Sequence, residues 1–177
     1  MLNVENALAA VAVAHQMGLA PETIVQALSD YQGVQRRFDV QVHTEKRIYI
    51  DDYAHHPTEI TAFLTSVRKL FPGKKICGIF QPHLYTRTRD FADEFARSLE
   101  MLDQLILMDI YPAREEPIPG VNSEMLLDRV QMDEKVLIKR EQLLRVVKER
   151  DPEVLVSMGA GDINQFVGPL KEWCMRI

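Results

Sequence analysis

The chain has 177 residues, 46% of them hydrophobic and 27% charged, with a formal net charge of −5. That length accommodates one well-buried domain with a remainder, and the composition is that of a folded cytoplasmic globule rather than a disordered segment. A net negative chain is not built to neutralise nucleic-acid phosphate, and Cys77 and Cys174 lie in no metal-ligand spacing, so both read as buried thiols of a reducing compartment.

Residues 4–17 carry Val4, Leu8, Val11 and Ala14 at helical spacing up to Gly18, and Pro21 opens a second helix with Ile24, Val25 and Leu28. The opening apolar stretch holds His15 and Gln16 and is shorter than the ~20 residues of a membrane span, so it reads as neither anchor nor signal peptide. This helical hairpin is too small to bury its own apolar faces. It reads as the tail of a domain lying upstream, with residues 31–34 as the hinge.

From Phe38 the pattern turns to short β-rich runs. DVQVH and RIYID flank a turn at 44–46, as in an antiparallel hairpin. A helix over 57–70 presents Ile60, Phe63, Leu64, Val67 and Leu70 on one face, with Pro57 in its first turn and Glu59 in the capping position. Strands are predicted at 75–80, 104–108, 136–138 and 154–158. Helices are predicted at 90–100, with Phe91, Phe95 and Leu99 buried, at 123–130 and at 140–149. A last helix starts at Asp162, with Gln165 completing a capping box, and is kinked or divided by Pro169. This order predicts an α/β fold: a Rossmann-like, mostly parallel sheet with helices on both faces and one antiparallel edge strand, preceded by the helical hairpin.

Loops at the carboxyl ends of parallel strands converge on one crevice. Four segments should meet there: 51–56, 81–89, 109–116 and 159–162. The first two hold three of the five histidines. His56 reads as the cap of the helix begun by Pro57, and His55 as facing a ligand. In an extended loop, His83, Tyr85 and Arg87 alternate and share one side. Arginine's planar fork suits a carboxylate or phosphate, so Arg87 is assigned to a ligand, whereas Arg89 pairs with Asp90 or Asp93. Arg36 and Arg37 are either solvated or placed for an anion. GAGD at 159–162 is a weak match to a phosphate-binding glycine turn. No P-loop, zinc spacing or complete dinucleotide fingerprint occurs.

NVENALAA at 3–10, GVQRRF at 33–38, DDYAHHPTEI at 51–60, FQPHLYTRTRDF at 80–91, IYPAREEPIPGV at 110–121 and GAGDI at 159–163 together resemble the C-terminal part of the Mur ligase family, in its alanine-adding branch. The resemblance covers essentially the whole chain. It implies that residues 1–32 close a central ATP-binding domain and that 33–177 form the C-terminal domain that presents the amino acid. An N-terminal sugar-nucleotide domain and the P-loop would lie upstream.

The implied reaction uses ATP and Mg2+ to phosphorylate the lactyl carboxylate of UDP-N-acetylmuramate; the amine of L-alanine then attacks the acyl phosphate, in peptidoglycan precursor synthesis. Residue by residue, the resemblance puts Asn3 and Asn6 near adenine, Arg37 near the nucleotide phosphates and Asp52 on the ribose. His55, His83 and Arg87 would line the alanine and acyl-phosphate site, with Tyr53 and Tyr85 beside them. No catalytic residue and no metal ligand is assigned to this chain, which by itself is expected to be inactive. Leu84 and Leu2 depart from the arginine and histidine that many relatives carry there. Competing readings are a murein-tripeptide ligase of cell-wall recycling and a non-catalytic Rossmann-like binding module.

Overall fold

A chain that alternates β-branched runs with amphipathic segments must cover both faces of its sheet, and the computed structural model shows how. It describes residues 2–176, with side chains from Val4 onward. The chain divides into two compact units that meet in sequence at Val34 and Gln35.

The first unit is a helical hairpin, α1 (Leu2–Gln16) and α2 (Pro21–Asp30). Gly18, at φ 80°, lets the chain turn: its N–H donates to His15 O at 3.0 Å and Leu19 N–H to Ala14 O at 3.1 Å, a Schellman closure. Val4, Leu8 and Val13 on α1 and Val25 and Leu28 on α2 are exposed. Asn6 is exposed as well, and the side chain of Asn3 lies outside the described residues.

The second unit is a six-stranded sheet in the order β1-β2-β6-β3-β4-β5. Its strands are β1 (Asp39–His43), β2 (Ile48–Asp52), β3 (Ile76–Phe80), β4 (Gln104–Met108), β5 (Lys135–Ile138) and β6 (Val154–Met158). Only β1, at the edge, runs antiparallel. Alternate residues of each strand serve opposite cores. Ile48, Ile50, Phe80, Leu105, Leu107 and Val156 pack under α3 (Pro57–Leu70), α5 (Ala92–Leu99) and α6 (Ser123–Arg129). Tyr49, Cys77, Ile79, Ile106 and Leu155 pack under α7 (Leu143–Arg150) and α8 (Val167–Met175). Among the described residues, no helix is long and apolar enough to cross a membrane.

Strand β6 comes last in the chain and inserts between β2 and β3. Its exit leads to α8 on one face, whereas both neighbours lead to helices on the other. Such a change of side between adjacent strand ends is the switch point at which the loops of an open parallel sheet part and ligands bind.

Four expectations fail locally. Leu70 is 59% exposed and Phe91 36%, because each sits where a helix ends or breaks. Residues 162–166 form a 3-10 turn with no side-chain cap, and Gln165 accepts from Arg140 rather than closing a capping box. Pro169 does not divide the final helix. It is the third residue of α8, where a missing N–H costs no intrahelical bond. The fourth, α4 (Tyr85–Asp90), is a helix where the sequence reads as an extended loop.

Candidate functional site

Asp51 and Asp52 are strand residues, because the parallel pairing with β6 continues through Asp52 and Met158. The chain leaves the sheet only at Tyr53. Asp52 makes that exit: its carboxylate accepts from Phe38 N–H at 2.7 Å and Ala54 N–H at 2.8 Å. Burial raises its pKa, and these two amides oppose the rise. Both oxygens are thus engaged in fixing the backbone at a residue also assigned to ribose. His55 follows, its N–H donating to Glu59 Oε2 at 3.0 Å and its Nδ1 3.0 Å from Tyr53 O. Glu59 therefore reaches one residue further back than a capping box requires. His56 is the N-cap of α3, accepting from Thr58 N–H at a long 3.4 Å, and its ring packs against Phe91.

Beneath this exit lies a buried polar chain. Tyr49 Oη and Ser157 Oγ are 2.8 Å apart, and Ser157 donates to Asp51 Oδ1 at 2.5 Å. Arg36 Nε donates to Asp51 Oδ2 at 2.8 Å, and its Nη2 to Gly159 O at 2.6 Å. Arg36, at φ 60°, also accepts Tyr53 N–H on its carbonyl at 2.7 Å. Burial pushes the Tyr49 phenol far above its usual range, with Asp51 adding to the rise. Of the two adjacent arginines, Arg36 is thus committed to structure. Arg37 is exposed, its guanidinium 5.8 Å from the Tyr53 ring centroid, and no carboxylate lies within ion-pair distance of it among the described residues.

Across the crevice, β3 ends at Phe80, and Gln81, Pro82 and His83 carry the chain to α4. Helical winding separates Tyr85 from Arg87 and instead stacks Arg87 on His83, four residues back: Arg87 Nη1 donates to His83 Nδ1 at 3.3 Å. The shared side predicted for His83, Tyr85 and Arg87 is therefore half right. Tyr85 stands half-buried at the first position of α4, outside the ring row.

That row runs Tyr53, His55, His83, Tyr111, with successive centroids 5.2, 6.0 and 5.8 Å apart. The His83 pKa is lowered by burial first, then by Arg87 and His55, so the ring is neutral at pH 7 and accepts from Arg87. Arg89 pairs with Asp90 at 2.7 Å, as expected.

All four predicted segments meet here. Leu84 N–H donates to Tyr111 O at 3.0 Å and Tyr111 N–H to Pro82 O at 2.8 Å. Glu115 accepts from Thr86. Gln81 sews in the last segment, donating to Asp162 Oδ1 at 2.7 Å while its Oε1 accepts Ile163 N–H at 2.9 Å. The GAGD turn is thus a packing device rather than a free anion cradle. A Cβ on Gly161 would overlap Gln81 Oε1 and lie 2.7 Å from Tyr111 Cβ. Gly161→Ala is expected to cost ~1–3 kcal/mol by overpacking and to shift the His83 ring-proton resonances as Tyr111 is pushed. A variant that melts with the wild type and leaves those resonances in place would remove this role.

Tyr111, Gln81 and Glu115 were not singled out by sequence. The motif IYPAREE pointed to the neighbourhood of Tyr111 and Glu115, and FQPHLYTRTRDF to that of Gln81.

The family described as "Mur ligase, glutamate ligase domain" matches residues 36–161. A UDP-N-acetylmuramate–L-alanine ligase of Parabacteroides distasonis is 52% identical over 97% of this chain and 37% of its own length. The crystal structure of the UDP-N-acetylmuramate–alanine ligase of Thermotoga maritima superposes with a TM-score of 0.79 at 29% identity, over 98% of this chain and 37% of that one. A murein peptide ligase of Psychrobacter arcticus superposes with a TM-score of 0.68 at 22% identity, over 99% and 37%, a likeness of fold alone. The chain spans little more than a third of the length of the relatives it matches.

Proposed function

Because the chain belongs to the Mur ligase family, we propose that it is the amino-acid-presenting part of an ATP-dependent ligase joining L-alanine to UDP-N-acetylmuramate in peptidoglycan precursor synthesis. Residues 1–32 would close a central ATP-binding domain, and 33–177 would form the C-terminal domain.

One observation carries this reading. Arg87 lies half-buried beside the row of rings at the carboxyl end of the sheet, with a neutral imidazole next to it and no carboxylate within ion-pair distance among the described residues. A guanidinium so placed offers its fork to the carboxylate of a small amino acid. His55 and His83 would flank the amine, and Tyr53 and Tyr111 would wall the site.

In the reaction the lactyl carboxylate takes the terminal phosphoryl group of ATP. The alanine amine attacks the resulting acyl phosphate, and the tetrahedral intermediate expels phosphate as the amine gives up a proton. This is chemistry of positioning and charge stabilisation, and the chain contributes the positioning. Exposed Arg37 suits a nucleotide phosphate. The assignments of Asn3 and Asn6 to adenine and of Asp52 to ribose belong to the same proposal. Magnesium would supply charge neutralisation of the phosphates. The proposal assigns the metal ligands to the upstream domain and none to this chain.

The test is phosphate release by the whole protein, upstream domains included, with ATP, magnesium and UDP-N-acetylmuramate, comparing L-alanine with the murein tripeptide. Release with alanine is expected, and none from the 177-residue chain alone. Release only with tripeptide would move the protein to cell-wall recycling, and silence with both would leave a binding module.

A further inference from the structure

Helix α4 carries Arg87, yet nothing in its own sequence accounts for its start. Its N-cap is Leu84, an apolar residue at φ 74° that offers no side-chain acceptor. A left-handed φ on a branched residue is strained and persists only where neighbours enforce it. Six residues are also too few to hold a helix unaided.

The acceptor comes from elsewhere. Glu115, on the loop between β4 and α6, takes Thr86 N–H on Oε2 at 3.0 Å and the Thr86 hydroxyl on Oε1 at 2.5 Å. Both carboxylate oxygens are spent on the second residue of α4, and these bonds, with Arg87 nearby, hold the Glu115 carboxyl below the usual range. Thr88, fully buried, fastens the other side, its hydroxyl donating to Leu84 O at 2.8 Å.

We infer that Glu115 is a positioning residue for the amino-acid site: it caps α4 from a neighbouring loop and so fixes Arg87 against His83. The inference rests on the proposed ligase reading and deepens it. An acid that caps a helix this short does more than close a surface turn, because the angle at which α4 leaves Leu84 sets the direction of the guanidinium. Charge acts alongside geometry. A carboxylate at the first turn favours the helix through its dipole and offsets part of the Arg87 charge that would otherwise repel a protonated substrate amine.

The experiment has two arms, each with Glu115→Ala, Glu115→Gln and Thr86→Val. In the 177-residue chain, amide hydrogen exchange over residues 85–90 should accelerate at least about tenfold in Glu115→Ala while α3 and α5 keep their protection. In the whole enzyme, the apparent KM for alanine should rise about tenfold while that for ATP stays within about twofold, as expected when a charge-assisted bond that orients a substrate group is lost. Glu115→Gln keeps an acceptor and should lose less, with Thr86→Val between. Unchanged protection of α4, an unchanged alanine KM, or an equal rise in both KM values would overturn the inference. Failure of the ligase reading shows earlier and separately, as a wild-type enzyme that does not use alanine.

Discussion

Asp51→Ala is expected to lower the stability of this chain by ~3–5 kcal/mol, the cost of leaving a buried charge without its partner. Asp51 and Ser157 are both fully buried, and the Arg36 side chain is 18% exposed. Removing the carboxylate takes a partner from the Arg36 Nε–H and from the Ser157 hydroxyl together, leaving Arg36 its bond to Gly159 O and Ser157 its contact with the Tyr49 hydroxyl. Urea unfolding of the purified chain measures it, through the midpoint at constant slope. A loss below about 1 kcal/mol would mean that water already reaches the pair. The companion Asp51→Leu/Arg36→Met should recover much of the loss, since a buried pair replaced by apolar groups of similar volume is often neutral. The double variant should still loosen the site, because Arg36 also stands 5.2 Å over the Tyr53 ring.

That chain also marks where sequence reading stops. Strand runs, helix faces and the carboxyl-end position of four polar segments are local patterns, and an unbroken apolar run such as Ile48–Ile50 or Leu105–Leu107 signals two covered faces directly. The insertion of β6 between β2 and β3 is different in kind: parallel strands need long crossovers, and nothing in Val154–Met158 names its neighbours. Asp51 therefore read as a loop acid beside Asp52, whereas Ser157, more than a hundred residues on, makes it a buried anchor.

Helix α4 failed to show for a related reason. YTRTRD holds two threonines and a tyrosine, residues that favour extended chain, and the cap that makes it a helix is Glu115, about thirty residues away. Arg87 and His83 were singled out because their types announce chemistry. Their mutual geometry was not, because it depends on the helix.

Arg87→Ala in the whole enzyme is expected to raise the apparent KM for alanine ~10–100-fold, the loss of a hydrogen-bonded contact to a charged group, with the KM for ATP little changed. Alanine has a one-carbon side chain, so its carboxylate and amine supply nearly all the directional binding available, and truncating the cation proposed to meet one of them should remove a large share. Arg87→Lys separates charge from shape. A lysine keeps the positive charge but lacks the planar fork, so it could not hold a carboxylate in two bonds while also donating to His83 Nδ1, the bond that Arg87 makes. It should therefore recover only a small part of the loss. Arg37→Ala is the control in the opposite sense, expected to act through ATP and to spare alanine. Steady-state kinetics with each substrate varied in turn decides the matter, and an equal rise in both KM values for Arg87→Ala would show that α4 positions the nucleotide too, leaving the carboxylate of the amino acid to be held elsewhere.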